Sequence, residues 1–326
     1  MLYEKLIVTI SLIVFINDWF MTLQELRFIV TLAQLRHFGK AAASCFVSQP
    51  TLSIAIKKIE EELQVQLFER QKNQLFVTPT GKKVCEAAHR ILAEVENIKL
   101  IAKDDQDDTV APLKLGAIYT IGPYIFPGLI TQFKKIAPKI PLEIHEDFTV
   151  NLKEKLRDGK IDAAIISLPF NDPLFKTCVL YKENFVVLMP AKHPLAENSQ
   201  ITENMLCKYH VLMLGENHCF KDQVVSSCPK CFNHKKSTKY DVQTVEGSSL
   251  ETIRYMVATG LGLTILPETA AKMGSNMNAL LITRPLKVKS PTRTVVLAWR
   301  KSFPRMKIIE KVIKAVSNTQ LNGAFK

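Results

Sequence analysis

The stretch from Phe38 to Leu63 constrains the fold most, because it places two helix patterns on either side of a short turn. An alanine-rich segment, Phe38-Gly39-Lys40-Ala41-Ala42-Ala43, is followed by Ser48-Gln49-Pro50-Thr51-Leu52-Ser53. Ser48 is a good N-cap, since its side-chain oxygen accepts from a backbone N–H that lacks a helical partner, and Pro50 is tolerated in a first turn. Apolar residues then recur at spacings of four, three and four, at Leu52, Ile56, Ile59 and Leu63. The pattern predicts a helix-turn-helix.

The exposed face of the second helix carries short polar side chains that suit the reading of DNA bases. Gln49 has the donor and acceptor needed to pair with adenine, and Thr51 has a methyl group that fits against the methyl group of thymine. Two short strands around a polar tip, Leu67–Arg70 and Leu75–Val77, predict a wing whose basic side chains reach phosphates. The predicted DNA-binding residues are Ser48, Gln49, Pro50, Thr51, Ser53, Lys57, Arg70 and Lys72.

A long amphipathic helix is predicted over residues 79–102. Its apolar positions alternate by four and three, as in the seam of a coiled coil, at Val84, Ala88, Ile91, Val95 and Ile98. Such a seam predicts a dimer that places two recognition helices on two half-sites of DNA. The alternative is a single helix packed on its own domain.

Charge and cysteine content narrow the class of protein. The 326 residues carry a net charge of +12, which favours a polyanion as partner. Residues 21–102 hold 11 basic and 8 acidic side chains, hence +3, whereas residues 272–326 hold 12 and 1, hence +11, so charge alone does not locate the DNA site. Seven cysteines are too few and too uneven for a secreted disulfide scaffold, which predicts a cytoplasmic protein with mostly reduced thiols.

The first twenty residues include an apolar run of eleven, Leu6–Ile16. A membrane-spanning helix needs about 20 apolar residues, and Asn17-Asp18-Trp19-Phe20 is a poor cleavage site for a signal peptide. Because a second methionine, Met21, opens the domain pattern, residues 1–20 are interpreted as a dispensable extension, with a membrane anchor as the alternative.

After a polar linker, Lys103–Thr109, apolar strand patterns alternate with helix patterns as far as the end of the chain. This alternation is typical of an α/β domain with a parallel sheet covered by helices. The predicted domains are therefore 21–78 for the winged helix-turn-helix, 79–102 for the linker helix and 112–326 for an α/β domain.

Two cysteines in the α/β part carry candidate chemistry. Cys219 follows a probable strand, Tyr209–Leu214, and a turn, so it lies at or near a helix N-terminus, where the helix dipole favours a thiolate. Peroxide oxidises a thiolate to sulfenic acid, and a second thiol can then close a disulfide. Cys228 lies nine positions after Cys219. An inert core thiol is the ordinary alternative.

A metal site is a further alternative, since Cys228-Pro229-Lys230-Cys231 has a C-x-x-C spacing. Four residues would then be zinc ligands: Cys219, Cys228, Cys231 and His234. The remaining cysteines are interpreted as structural thiols: Cys45, Cys85, Cys178 and Cys207. The expectation adopted is that no metal and no cofactor is bound.

The motifs from Phe38 to Leu63, Leu67 to Arg70 and Thr78-Pro79-Thr80-Gly81 resemble the signature of LysR-type transcriptional regulators, and the resemblance covers residues 21–326. It implies a two-lobed effector domain like a periplasmic binding protein, with lobe I at about 112–183 and 286–326 and lobe II at about 184–285. It also implies a homodimer or homotetramer.

Within that family, the segments around Thr120, Glu146–Thr149, His218–Cys228 and Arg293 resemble the OxyR-like hydrogen-peroxide sensors. The resemblance implies that Cys219 is the peroxidatic thiol and Cys228 the resolving thiol. Cys231 departs from the family pattern; because Pro229 should end the helix near Cys228, Cys231 is expected to reach either thiol as a minor competitor. The peroxide site it implies consists of Thr120, Thr149, His218, Asp222 and Arg293.

The resulting expectation is a cytoplasmic, non-enzymatic regulator that controls oxidative-stress genes and has no membrane partner. Its expected partners are promoter DNA, RNA polymerase, hydrogen peroxide and a thiol reductant such as glutaredoxin or thioredoxin. Two rivals stay open: a regulator of this type that responds to a metabolite or metal, and a thiol peroxidase. The helix-turn-helix argues against the peroxidase.

Overall fold

The computed structural model describes residues 21–71, 74–104, 111–232, 246–247, 249–271, 280–289 and 291–325. The chain divides into two compact units, residues 1–98 and 99–326. Predictions for residues 1–20, Lys72 and His234 lie outside the described residues. None of the described helices is both long and apolar enough to span a bilayer.

The first unit begins with three helices: α1 (Leu23–Leu35), α2 (Phe38–Ser44) and α3 (Gln49–Leu63). Thr22 and Glu25 form a capping box at the start of α1, and Ser48 caps α3 by accepting from the Thr51 N–H at 3.2 Å. The predicted stripe of α3 is buried at Leu52, Ile56 and Ile59, which pack on the other two helices. This is the helix-turn-helix that the sequence predicts.

A two-stranded wing follows, formed by β1 (Phe68–Gln71) and β2 (Gln74–Val77) paired antiparallel. The Glu60 carboxylate on α3 accepts from the backbone N–H groups of Leu67 and Phe68, at 2.7 and 3.0 Å, and so fixes the root of the wing. Helix α4 (Pro79–Asp104) follows Thr78, whose hydroxyl accepts from the Gly81 N–H in the first turn of the helix.

The seam of α4 divides in two. Ala88 is buried against Leu26 and Val30 of α1, so this part packs on its own domain. Ile91 and Ile98 are 47% and 65% exposed, which leaves the rest of the seam free for another surface.

The second unit contains two lobes with separate hydrophobic cores. The first lobe is built from parallel strands β3 (Leu113–Ile118), β4 (Leu142–Asp147) and β5 (Ala163–Ser167), with antiparallel β12 (Thr292–Arg300) and β13 (Ala324–Phe325). Its helices are α5 (Gly122–Ile136), α6 (Thr149–Arg157) and, near the C-terminus, α12 (Met306–Ser317).

Strand β6 (Phe175–Pro190) runs through both lobes, because it pairs with β12 and β13 in the first and with two strands of the second. The strands of the second lobe are β7 (Ile201–Thr202), β8 (Val211–Leu214), β9 (Glu246–Gly247), β10 (Leu263–Pro267) and β11 (Leu281–Lys287). Its helices are a 3-10 turn (Pro194–Glu197), α7 (Glu203–Leu206), α8 (Cys219–Ser227), α9 (Pro229–Phe232), α10 (Leu250–Ala258) and α11 (Glu268–Ala271). Leu286 and Val288 pack on the second core, so the chain returns to the first lobe after residue 288, later than the boundary of 286 that the sequence predicted.

Candidate functional site

Cys219 is the first residue of α8, and the residue before it, His218, is the N-cap. Asn217 adopts a left-handed φ of 76°, a conformation that asparagine tolerates, and so completes the turn that the sequence predicts before the helix. Cys219 is half-buried and packs against the core of the first lobe, although α8 contacts β8 of the second. The thiol therefore lies where the two lobes meet.

A small cavity surrounds Cys219. Its free space of about 10 Å³ suits one molecule of about the size of water. Strands β3 and β4 are parallel and pair Ile118 with Asp147, so their carboxyl ends bring the segments after them to one edge of the sheet. The lining residues are Ile118, Tyr119, Thr120, Asp147, Phe148, Thr149, Asn217, His218 and Cys219. Thr120, Thr149, His218 and Cys219 are thus brought together.

Thr120 is held by a buried guanidinium. Arg293 donates from Nη1 to the Thr120 hydroxyl at 2.9 Å and from Nη2 to the Thr120 carbonyl at 2.8 Å. Its Nε donates to Glu183 at 2.8 Å, and both side chains are fully buried. Thr269 donates to the second Glu183 oxygen from its hydroxyl, at 2.5 Å. Arg293 therefore lies behind Thr120 and fixes it, whereas the cavity itself is lined by Thr120.

The sequence reasoning missed Glu183. Glu183 lies opposite Arg293 in the antiparallel register, but it follows Lys182 directly and so did not differ in sequence from an ordinary exposed charge. That register depends on the bulge in the pairing of β12 with β6, which a sequence pattern does not show.

Aromatic rings and an unpaired hydroxyl form the other wall of the cavity. The Phe148 ring packs edge-on against His218, with centroids 4.9 Å apart, and against Tyr119 at 5.2 Å. The Thr149 Oγ1 is buried and has no hydrogen-bond partner among the residues that the structure describes. A buried hydroxyl without a partner is costly, so this group suits a small polar ligand. Of these rings, only His218 was predicted as a site residue; Tyr119 and Phe148 were not.

The structure does not bring Asp222 into the cavity. Asp222 is exposed on the first turn of α8 and is not one of the lining residues. Its neighbour Gln223 instead donates to the Ser167 hydroxyl and to the Leu168 carbonyl, both at 2.8 Å. Because Ser167 ends β5, Gln223 ties α8 to the first lobe, and the geometry gives Asp222 no contact with a molecule held at Cys219.

Cys228 lies at the opposite end of α8, as its C-cap, and is fully buried in the core of the second lobe. Burial, with the nearby negative charge of Glu203, raises the pKa of the Cys228 thiol to about 12. Nine residues of helix place the two ends roughly 13 Å apart, at about 1.5 Å per residue. A disulfide needs Cα atoms within about 7 Å, so Cys219 and Cys228 do not bond without refolding of α8.

Two cysteine assignments need correction. Cys207 was predicted to be a structural thiol and Cys231 a competing thiol, but the structure joins them in a disulfide with Cα atoms 4.7 Å apart. A sulfur in this bond is not a zinc ligand, and Cys219 and Cys228 lie at opposite ends of a helix. No cluster of metal-binding side chains occurs among the described residues, of which His234 is not one.

Among the predicted DNA-binding residues that the structure describes, Ser48 caps α3, Arg70 lies in β1 of the wing, and the others lie on α3. Gln49 and Arg70 line one groove, and the Arg70 guanidinium lies over the Phe38 ring at 4.4 Å from its centroid. The Ser48 and Thr51 hydroxyls are 2.7 Å apart, so Thr51 is partly used in the helix cap. Lys57 forms an exposed ion pair with Glu61 at 3.4 Å.

Two family descriptions match the chain. The lysR-family bacterial regulatory helix-turn-helix matches residues 23–82, and the LysR substrate binding domain matches residues 106–320. The chain belongs to the LysR family. The predicted resemblance and fold class are thus confirmed: an N-terminal helix-turn-helix and an α/β effector domain.

Within the LysR family, the chain belongs to the group of the hydrogen peroxide-inducible genes activators. It is 32% identical over 305 residues to the Escherichia coli K12 DNA-binding transcriptional dual regulator OxyR, covering 94% of this chain and 97% of that protein. A full-length OxyR variant from Pseudomonas aeruginosa is 44% identical, with a TM-score of 0.73, covering 94% and 99% of the two chains. A reduced OxyR from Neisseria meningitidis is 38% identical, with a TM-score of 0.60 over 66% of this chain and 98% of that one.

Proposed function

We propose that this LysR-family protein is a peroxide-responsive transcriptional regulator whose switch is the pair Cys219 and Cys228. The observation that carries the proposal is the cavity at Cys219, in which a thiol faces the Thr120 and Thr149 side chains in a space for one small polar molecule. Relatives from Haemophilus influenzae and Escherichia coli that are named hydrogen peroxide-inducible genes activators support the same function.

The chemistry balances with these two thiols and one peroxide. The Cys219 thiolate attacks one peroxide oxygen, the O–O bond breaks, and the departing oxygen takes a proton to become water while Cys219 becomes a sulfenic acid. The Thr149 hydroxyl and the Thr120 side chain held by Arg293 stabilise the charge on the departing oxygen. Cys228 then attacks the Cys219 sulfur and expels a second water as the disulfide forms.

The geometry makes this second step a conformational one. Cys228 reaches Cys219 only when α8 unwinds or folds back, and this movement takes Cys228 out of the second core and Gln223 off the first lobe. Formation of the disulfide therefore rearranges α8 at the boundary between the two lobes. A rearrangement of this kind can shift a dimer interface from one packing arrangement to another.

The wider scheme follows from family membership. The proposed partners are promoter DNA, RNA polymerase and a dithiol reductant such as glutaredoxin or thioredoxin, in the cytoplasm and as a homodimer or homotetramer. The exposed seam residues Ile91 and Ile98 support a dimer. Turnover of peroxide is stoichiometric in this scheme, so the protein acts as a regulator rather than a peroxidase.

The switch is tested by brief treatment with one equivalent of peroxide, alkylation of free thiols and peptide mass mapping. We expect a Cys219–Cys228 bond in the wild type and in the matched control Cys178→Ser, and none in Cys219→Ser. A bond that forms equally well between Cys228 and another thiol in Cys219→Ser contradicts the assignment.

The DNA contacts are tested by competition binding to the protein's own promoter sequence and to variants of it. Gln49→Ala is expected to cost roughly 1–3 kcal/mol and to relax the preference at one base pair. Arg70→Ala is expected to weaken binding to all DNA sequences alike. It should also reduce by about one the slope of the logarithm of the binding constant against the logarithm of the salt concentration. An unchanged base preference in Gln49→Ala and Thr51→Ala together rejects the assignment of α3 as the reading helix.

A further inference from the structure

The disulfide between Cys207 and Cys231 lies outside the peroxide cavity and next to the second cysteine of the switch. Cys207 is the C-cap of α7, and Cys231 lies in α9, the helix that begins directly after Cys228. The bond joins residues 24 positions apart, so the loop it closes contains the whole of α8 with both Cys219 and Cys228. Any refolding of α8 therefore takes place inside a closed loop.

The same face of α7 holds α9 through a second set of contacts. The Glu203 carboxylate accepts from the Lys230 N–H at 2.7 Å, and the Glu203 carbonyl lies 3.3 Å from the Cys231 sulfur. Cys231 and Phe232 pack against the second core, in which Cys228 is buried. The segment that must release Cys228 is thus bound to α7 by a covalent bond, a hydrogen bond and apolar contacts.

The covalent bond limits how far Cys228 moves. Cys231 lies three positions after Cys228, and an extended chain spans at most about 3.6 Å per residue. While Cys231 is bonded to Cys207, the Cys228 Cα therefore stays within about 11 Å of the Cys231 Cα, which is held on α7. Cys219 starts roughly 13 Å from Cys228 along α8 and must come within about 7 Å. The rearrangement is therefore more restricted when the Cys207–Cys231 bond is intact than when it is open.

The bond is also placed for reduction. Cys207 is exposed, whereas Cys228 is fully buried. Exposed disulfides are the ones that thiol reductants reach, and in reducing compartments those that form are mostly redox-active.

We propose that Cys207 and Cys231 are a second redox pair, which as a disulfide holds α9 on α7 and slows closure of the Cys219–Cys228 switch, and which on reduction releases it. The proposal rests on the proposed function of that switch. The pair forms when peroxide oxidises one thiol to sulfenic acid with release of water and the other thiol displaces a second water. A dithiol reductant opens it by exchange, which leaves two thiols on the protein and a disulfide on the reductant.

The first experiment compares the rate of Cys219–Cys228 formation after addition of peroxide, by acid quench, alkylation and peptide mass mapping of the full chain. The double variant Cys207→Ser/Cys231→Ser is compared with wild type whose second pair is oxidised, and Cys178→Ser is the control for loss of an unrelated thiol. We expect closure to be roughly tenfold faster in the double variant and unchanged in Cys178→Ser. The double variant is needed because Cys207→Ser alone leaves a free Cys231 close to Cys228.

Amide hydrogen exchange of the same proteins before peroxide is added gives an independent readout. Residues 219–232 are expected to exchange faster in the double variant and in wild type with the pair reduced. If closure rates and exchange rates are equal in these proteins, the Cys207–Cys231 pair does not regulate the switch, although the switch itself stands. The same conclusion follows if Cys207 and Cys231 stay free thiols after peroxide treatment. Absence of a Cys219–Cys228 bond in every protein overturns the proposed function itself, and the regulation with it.

Discussion

The two ends of helix α8 carry the same side chain in opposite surroundings. At the N-terminal end, Cys219 is half-buried beside a cavity lined by hydroxyls, aromatic rings and a buried histidine. At the other end, Cys228 is sealed in an apolar core beside Glu203, and burial keeps its thiol protonated at neutral pH. Since only a thiolate is a good nucleophile, the buried Cys228 is a poor nucleophile in this conformation, and we expect the more accessible Cys219 to react first.

The difference also separates the two kinds of work that a switch needs. At the Cys219 end, Arg293 and Glu183 hold Thr120 in place from inside the first lobe, so we expect this end to receive a small molecule with little movement. At the Cys228 end, we expect the thiol to react only after the core around it has opened.

The largest expected effect is the difference in reactivity between the two ends. With iodoacetamide and the reduced native protein, Cys219 should be alkylated at least about a thousandfold faster than Cys228, because Cys228 reacts only through local opening of its core. The measurement is the labelling rate of each cysteine by peptide mass analysis. The half-buried Cys178 serves as the reference, and comparable rates at Cys219 and Cys228 would remove the basis of the comparison.

Removal of the guanidinium that supports the Cys219 end should be strongly destabilising. Arg293→Ala leaves Glu183 as an uncompensated buried charge, so we expect a loss of about 3–5 kcal/mol in the free energy of unfolding. Urea unfolding of reduced protein measures it. Lys153→Ala is the matched control, because it breaks a more exposed ion pair with Asp172 in the same lobe, at 2.8 Å, and should cost no more than about 1 kcal/mol.

Substitution of the two threonines of the cavity, Thr149 and Thr120, should affect stability and reactivity with peroxide differently. Thr149→Val removes a hydroxyl that has no partner in the described structure, so the protein should be as stable as the wild type or slightly more so. Its reaction with peroxide should nevertheless fall by about 10²-fold, as when one donor to a developing anion is removed.

Thr120→Val should slow the same reaction and also destabilise the fold by about 1–3 kcal/mol, because Arg293 loses an acceptor. The measurements are stopped-flow kinetics of peroxide consumption and urea unfolding. If Thr149→Val reacts at the wild-type rate, Thr149 does not contact peroxide.

Much of this arrangement was accessible from the sequence. Helix caps and apolar spacing predicted the helix-turn-helix, because Ser48 and the stripe at Leu52, Ile56 and Ile59 act within a few residues of each other. The position of Cys219 at a helix start followed in the same way from the turn before it. Thr120, Thr149 and Arg293 came from resemblance, and the structure places Thr120 and Thr149 at the cavity with Arg293 behind.

What could not be predicted depends on residues far apart in the chain. The ion pair of Glu183 with Arg293 needs a strand register across 110 positions. The bond between Cys207 and Cys231 needs α7 and α9 to meet, and the spacing of Cys228 and Cys231 drew attention instead to a metal. Asp222 and Gln223 are neighbours in sequence, but rotation about a helix sends only Gln223 to the first lobe.

The smallest effect concerns the pH dependence of the Cys228 end. Its pKa is about 12 in the folded protein, against 9.0 for an unperturbed thiol, so the folded state binds the proton more tightly than the unfolded state. The stability due to the neutral thiol is complete below pH 9 and is lost as the pH rises from 9 towards 12, at about 1.4 kcal/mol per pH unit.

Burial also raises the pKa of Cys85 in the DNA-binding unit, to about 11, so the comparison uses Cys85→Ala as the parent protein. Urea unfolding in the presence of a reductant from pH 8 to 10.5 should show the decline in Cys85→Ala and a shallower one in Cys85→Ala/Cys228→Ala. Buried tyrosines contribute equally to both proteins and cancel in the difference. Identical slopes would mean that the Cys228 thiol ionises as readily inside the protein as outside, and the two ends of α8 would then differ in position alone.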